Sequence, residues 1–357
     1  MTRVAVIGAG VVGAAIAWRL AKGGHAVTLI DPRPGGIASR GSFGWLNAAS
    51  AEDDHYCAVR QRSLASWRGL ASERPDCPVA FPGMLLWEVP PGELEAMAAR
   101  LRRLGHSADL VDRPAMARLE PGLSAPPEAA LWLPTEGRAE PRAIADWFAR
   151  TAVAAGAMLC PERVTGIGGA AGGWQLRLGV ESIAADELVV AAGAGTPELL
   201  APLGHSLALR TEPGLLVRTA PAPASVRMLL GSPEVHVWQA EDGTVLAGSD
   251  YGGRQRFEGQ EAEARAILSG IEALVAGLGR LQPEAIAVTN RPMLPDDRPA
   301  VGRLAEGLSA AVTHSGMTLA PLIADAIAAE IDGRVPDPDL APYRADRPAV
   351  MGAGTDA

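Results

Sequence analysis

Three glycines and one acid carry the first chemical signal in this chain. Residues 4–31 read as a short apolar run, Val4 to Ile7, a turn holding Gly8, Gly10 and Gly13, and a helix-forming stretch from Ala14 to Ala21. Gly23 and Gly24 end that stretch, and a second apolar run, Val27 to Ile30, closes on Asp31 and Pro32. Each residue type has a task. Gly8 permits a tight turn out of a strand, Gly10 leaves room for a phosphate against the backbone, and Gly13 lets a helix pack close to a sheet. The N–H groups near Val11 and Val12 would open that helix and offer its positive end to an anion. A carboxylate at the tip of the second strand accepts ribose hydroxyls, which favours FAD or NAD over NADP. The segment predicts a βαβ unit that binds a dinucleotide. A plain glycine turn and a signal peptide after Arg3 are the competing readings. The second fails because glycines interrupt the apolar run and the acid-tipped strand follows too soon.

The elements that position these residues follow from patterning. A chain of 357 residues is long enough for two domains with sizeable cores. Hydrophobic residues make up 48% and charged residues 20%, which is globular rather than disordered. The net charge of −9 argues against a nucleic-acid partner. Cys57, Cys77 and Cys160 are widely spaced and form no CxxC or metal pattern. That spacing points to no metal, no disulfide framework and a reducing, cytoplasmic setting. No apolar stretch is long enough to cross a bilayer.

A helix is expected over residues 54–72, a strand over 83–89, helical spacing over 93–104 and irregular chain over 114–134. Glu140-Pro141 should start a helix reaching about residue 155. A strand is expected over 158–167, a short strand pair at 174–178 and 182–184, and a buried strand at 187–192. Between 207 and 288 the pattern predicts antiparallel strands at 214–218, 235–239 and 244–248, and an amphipathic helix over 261–278. A strand at 308–312 and a helix at 318–331 would return to the first domain. The fold class is α/β plus α+β. A discontinuous Rossmann-like domain is expected at 1–80, 138–205 and 288–357, with a mostly antiparallel substrate domain at 81–137 and 206–287.

Three further stretches narrow the reading. They are Ala38 to Ala48, which holds Ser39, Arg40, Ser42, Gly44, Trp45 and Leu46; Asp186 to Gly195, which holds Ala192 and Gly193; and Arg291 to Gly302 followed by His314 to Pro321. With the glycine fingerprint they resemble the D-amino acid oxidase superfamily of FAD-dependent amine oxidoreductases, nearest in pattern to glycine oxidase and the small D-amino acid dehydrogenases. The resemblance covers nearly the whole chain. It implies that the 39–46 loop runs beside the pyrophosphate and flavin ring, and that Val164 presents backbone groups to the adenine. It implies that Arg291 holds a substrate carboxylate, a task suited to a guanidinium with two parallel N–H donors. A structural arginine paired with Asp296 or Asp297 is the alternative.

The same resemblance places Ser315, Gly316, Met317 and Thr318 at a helix start under the flavin pyrimidine, where free N–H groups would stabilise negative charge. Ser315 or Thr318 could equally be an ordinary N-cap. His314 stands where glycine oxidase-like members carry a second arginine, so the substrate is expected to be larger, cyclic or less acidic than glycine. The 39–48 loop contains no histidine or cysteine, so FAD should be non-covalent. Tyr251 is a candidate pocket hydroxyl.

The implied reaction is oxidation of the C–N bond of an amine or amino acid, D-amino, cyclic or N-substituted, with hydride passing to flavin N5. Oxygen, a quinone or a partner protein could be the acceptor. Two alternatives stay open: a flavin monooxygenase using NAD(P)H, although no second glycine fingerprint is present, and a flavin-binding subunit of a multi-chain dehydrogenase.

Overall fold

The computed structural model describes residues 1–352 except 171–172, 224–225 and 249–258. The first element is the expected βαβ unit. Strand Arg3–Ile7 pairs parallel with strand Ala26–Ile30, and helix Val11–Lys22 connects them. These strands lie in a six-stranded sheet ordered Ala300–Ala305, Leu308–Val312, Glu187–Val190, Arg3–Ile7, Ala26–Ile30, Met158–Cys160. Every neighbour is parallel except the first pair. Strand Leu308–Val312 is buried throughout, as a central strand covered on both faces must be. Helix Val11–Lys22 packs on helices Gly316–Ile331 and Ile144–Ala154.

An eight-stranded sheet forms the second layer system: Pro283–Met293, Arg210–Thr219, Val245–Gly248, His236–Gln239, Leu229–Gly231, Met84–Leu86, Ala129–Leu133, Asp109–Asp112. It is antiparallel except where Leu229–Gly231 meets Met84–Leu86. Helix Gln260–Leu274 covers one face through Ala264, Ile267, Leu268 and Ile271, at helical spacing. The expected boundary at residue 288 falls inside strand Pro283–Met293, which belongs to this sheet along its whole length.

Four elements depart from expectation. The 158–167 strand is two strands in two sheets: Met158–Cys160 in the parallel sheet and Val164–Gly168 in a three-stranded antiparallel one. Pro161 follows the first and lacks the N–H a ladder needs. The proline-rich 114–134 region holds a helix, Arg113–Leu119, and a strand, Ala129–Leu133. Pro114 lies in the helix's first turn, where proline is tolerated, and the Asp112 side chain caps the Ala115 N–H at 2.9 Å. Helix Ile144–Ala154 begins after a turn at Glu140-Pro141. Helix Gly316–Ile331 begins two positions before residue 318 and carries Pro321 in its interior. Pro321 cannot donate to the Met317 carbonyl; Trp67 Nε1 does so instead at 3.0 Å, from helix Asp54–Glu73.

Candidate active site

The parallel strands all deliver their following loops to one edge of the six-stranded sheet, where open α/β sheets bind ligands. Gly8, Gly10 to Val12, Asp31 to Arg33, Arg163 to Ile167, Ala191 to Gly195 and Thr313 to Thr318 line a cavity of about 1370 Å³ there. The eight-stranded sheet closes it with Ser232, His236 and residues 288–292.

At the glycine turn the geometry is set by steric exclusion. Gly8 has φ +108°, and a Cβ there would lie 2.3 Å from the Ala191 carbonyl oxygen. A Cβ on Gly13 would lie 1.9 Å from the Gly8 carbonyl oxygen. Gly13 is therefore buried beneath the turn, and its part is packing rather than ligand contact. Gly10 meets little: Ser39 Oγ at 3.2 Å and Gly36 Cα at 3.9 Å. Ser39 Oγ accepts the Val11 N–H at 3.0 Å, so a hydroxyl from the next loop holds the start of this helix. The Val12 and Gly13 N–H groups have no acceptor within the helix. Asp31 accepts from Ala9 N–H at 2.7 Å and Arg33 N–H at 2.8 Å. That fixes the carboxylate at the cavity wall, and an oxygen pair has further lone pairs for hydroxyl donors. A dinucleotide fits this cradle: a stripped backbone, an open helix N-terminus and a fixed acid beside one elongated cavity.

Most predicted residues line that cavity: Gly8, Gly10, Val11, Val12, Asp31, Pro32, Ser39, Ser42, Trp45, Val164, Ala192, Gly193, Arg291, His314, Ser315, Gly316, Met317 and Thr318. Others in the same segments do not. Arg40 reaches outward to Asp146, at 2.8 Å. Gly44, at φ +80°, passes so near Ala139 that a Cβ would sit 2.2 Å from its carbonyl oxygen. Leu46 is fully buried beneath the loop. Tyr251 lies outside the described residues.

At the other end of the cavity, helix Gly316–Ile331 presents its N-terminus with no side-chain cap. The Ser315 N–H, expected to be free, donates to Thr313 Oγ1 at 3.0 Å. Gly316, Met317 and Thr318 remain as the first helical N–H groups, which have no intrahelical acceptor. The Thr318 hydroxyl is no cap; it accepts the Asn47 N–H at 3.1 Å and fastens the 45–47 strand end to the helix. Arg291 does not pair with Asp296 or Asp297. It stands opposite Glu212 on the antiparallel ladder and reaches its carboxylate at 3.2 Å, while Asp296 pairs with Arg347 at 2.9 Å and Asp297 with Arg210 at 2.8 Å. His314 is held neutral: burial first, then the charges of Arg60 and Arg291, push its pKa down to about 3.

Four residues with roles here lie outside the stretches that the sequence singles out. Arg60 is 4% exposed and bonds Ser315 Oγ at 2.6 Å. Its signal was periodicity: it falls on the buried stripe of Tyr56, Ser63 and Trp67 in helix Asp54–Glu73, where a charge is out of place. Glu136 is wholly buried and accepts from Trp45 Nε1 at 2.7 Å, Ala48 N–H at 2.9 Å and Ala49 N–H at 3.2 Å. His236 and Glu88 form a 2.8 Å pair on the cavity wall beside Trp45. No spacing rule links any of these to the glycine fingerprint.

Comparison with known proteins settles the family. Residues 3–330 match the sequence model of the DAO family, FAD dependent oxidoreductase. The chain belongs to the DAO family of FAD-dependent oxidoreductases. Within it, the D-amino-acid oxidase of Bradyrhizobium diazoefficiens is 27% identical over 96% of this chain and 98% of its own. Glycine oxidase from Geobacillus kaustophilus superposes with a TM-score of 0.85 at 24% identity, over 97% of this chain and 99% of that one. Iminodiacetate oxidase from Chelativorans sp. BNC1 superposes with a TM-score of 0.82 at 23% identity, over 96% and 98%. This DAO-family enzyme is thus an FAD-dependent oxidoreductase, and the fold is that of the expected FAD-binding domain with its substrate domain. Among the described residues no helix is long and apolar enough to cross a membrane.

Proposed function

We propose that this enzyme oxidises the C–N bond of a carboxylate-bearing amine: a D-amino acid, or a cyclic or N-substituted amino acid. The observation that carries the reading is the cationic end of the cavity, where Arg291 and Arg60 flank a histidine that stays uncharged. Similar enzymes include ones named for D-amino acids, glycine and iminodiacetate, all amines with a carboxylate. FAD, held along Gly8 to Val12, Asp31, Ser39 and Gly316 to Thr318, would supply the acceptor for a hydride from the carbon next to nitrogen.

The protein's part is orientation and charge. Arg291 would grip the carboxylate through parallel N–H donors, since its side chain lines the cavity and is 30% exposed. Neutral His314 would accept a hydrogen bond from the amine without adding a third positive charge. Trp45 and His236 form the wall against the rest of the substrate. The imine product then takes up water to give a carbonyl compound and an amine or ammonia, unless it is cyclic and stable.

The test is anaerobic bleaching of the flavin absorbance by a panel of amines and D- and L-amino acids, followed by steady-state kinetics of Arg291→Ala. We expect an amino acid to bleach the flavin, and the variant to keep FAD while KM for that substrate rises about 100-fold. An unchanged KM would remove Arg291 from the carboxylate, and reduction by NADPH but by no amine would overturn the reaction class.

A further inference from the structure

Arg60 poses an electrostatic problem that the substrate reading leaves unsolved. It lines the cavity yet is 4% exposed. Its Nη1 donates to Asn47 Oδ1 at 2.8 Å and Ser50 Oγ at 3.2 Å, its Nη2 to Ser315 Oγ at 2.6 Å, and its buried Nε–H has no acceptor. All these acceptors are neutral. Glu136, a buried carboxylate of the same region, is occupied by Trp45 Nε1 and the Ala48 and Ala49 N–H groups. The neighbouring Arg298 is different: it shares the Tyr56 ring with Arg60, but pairs with Asp53 at 2.8 Å and Glu52 at 3.0 Å. A guanidinium cannot shed its proton. Arg60 is therefore a permanent buried charge that no carboxylate among the described residues bonds. Such a charge is strongly unfavourable unless an anion arrives to balance it.

We propose that Arg60 is the fixed cation that balances the negative charge this site acquires when the flavin is reduced. A hydride passed from the substrate carbon to a bound flavin would carry both bonding electrons, leaving an iminium cation and one added negative charge on the ring. Once the iminium leaves, or gives up its N–H proton to solvent as an imine, that negative charge would stay in the pocket. Arg60 touches Ser315, the residue before the helix whose N–H groups face the same end of the cavity. Charge and helix end act on one locus. A substrate clamp would be built otherwise. Arg60 is 4% exposed, locked by three hydrogen bonds and 4.5 Å over the Tyr56 ring, whereas the Arg291 side chain is 30% exposed. Arg60 is thus a positioning residue for charge, not a grip on substrate.

The inference rests on the reading that Ser315 to Thr318 meet the flavin ring, and it is tested without any substrate. The midpoint potential of the purified holoenzyme is measured by anaerobic dye equilibration, and sulfite, which binds oxidised flavin as an anion, is titrated against the visible spectrum. Arg60→Gln should keep FAD, lower the potential and weaken sulfite binding about tenfold or more; Arg60→Lys should stay within about threefold of the parent. An Arg60→Gln protein with FAD bound and both values unchanged would overturn the proposal. So would weakened binding of acetate with potential and sulfite affinity intact, which would make Arg60 a carboxylate anchor. If the glutamine variant does not fold, the lysine variant decides, because loss of sulfite affinity despite a retained charge would refute a charge-based role. Ser315→Ala controls the placement. A flavin spectrum identical to the parent's would put the ring elsewhere and remove the underlying reading, whereas a changed spectrum with an unaltered Arg60→Gln potential would overturn the proposal alone.

Discussion

The two ends of the cavity are built by different means. The glycine end comes from one contiguous segment, Gly8 to Asp31, joined by Ser39 from the next loop, and its shape is enforced by backbone exclusion. The other end is assembled from Asn47, Arg60, Glu136, Arg291 and His314 to Thr318, brought together by side-chain hydrogen bonds across the fold. A phosphate needs bare N–H groups at close range, and local geometry suffices for that. A reacting centre needs charges fixed relative to one another, and only separate rigid elements can hold them so. The first end should therefore fail through sterics and the second through polar balance.

Gly13→Ala is the harshest challenge to the first half of that contrast. The new Cβ would lie 1.9 Å from the Gly8 carbonyl oxygen, a backbone atom, so no flexible side chain can yield. Stability should fall by ~3 kcal/mol or more and FAD affinity by at least about 100-fold. The readouts are thermal unfolding and the flavin content of purified protein. Near-normal FAD content would show that the helix can slide, and that exclusion does not set this end.

Glu136→Gln probes the second half. The buried carboxylate accepts from three donors and has the buried His106 Nε2 at 3.2 Å. An amide keeps one acceptor oxygen and turns an NH₂ toward a donor. Loss of the charge-assisted bonds should cost about 2–3 kcal/mol. The effect should concentrate on the 45–49 loop, whose amides ought to gain hydrogen exchange while those of strand Arg3–Ile7 keep their protection. Uniform loss of protection would mean that Glu136 serves the whole fold rather than this end.

The same contrast explains what was legible in the sequence. Gly8, Gly10, Gly13 and Asp31 announce themselves because each answers a steric or charge demand within one βαβ unit. Arg291 and His314 became visible through family resemblance, and the pairing of Arg291 with Glu212 through a strand register that spacing does not reveal. Arg60 and Glu136 stayed hidden. Arg60 shows only as a charge on an apolar stripe, and Glu136 as an unremarkable acid before a glycine. The fold followed the same rule. Periodic segments such as Asp54–Glu73 were readable, whereas the break of 158–168 into two sheets at Pro161 depends on which sheet each half joins.

The smallest expected effect concerns His314, and its sign tests whether two arginines really press on this histidine. Burial, then Arg60 and Arg291, hold its folded pKa near 3, against an ordinary 6.5 in the unfolded chain. Between those values the unfolded chain binds a proton that the folded protein refuses. Stability is therefore full above about pH 6.5 and falls as pH drops toward 3, with a slope of at most ~1.4 kcal/mol per pH unit from this residue. Other groups titrate in the same window, so the informative quantity is a difference. The stability lost by the parent between about pH 7.5 and about pH 5, measured by urea unfolding, should exceed that lost by His314→Asn. In the Arg60→Gln background the imidazole pKa itself, followed by NMR, should rise above about 3, because one of the two repelling charges is gone. An unchanged pKa would assign the shift to burial and Arg291 without Arg60. The Arg60 charge would then be farther from His314 than their shared cavity implies.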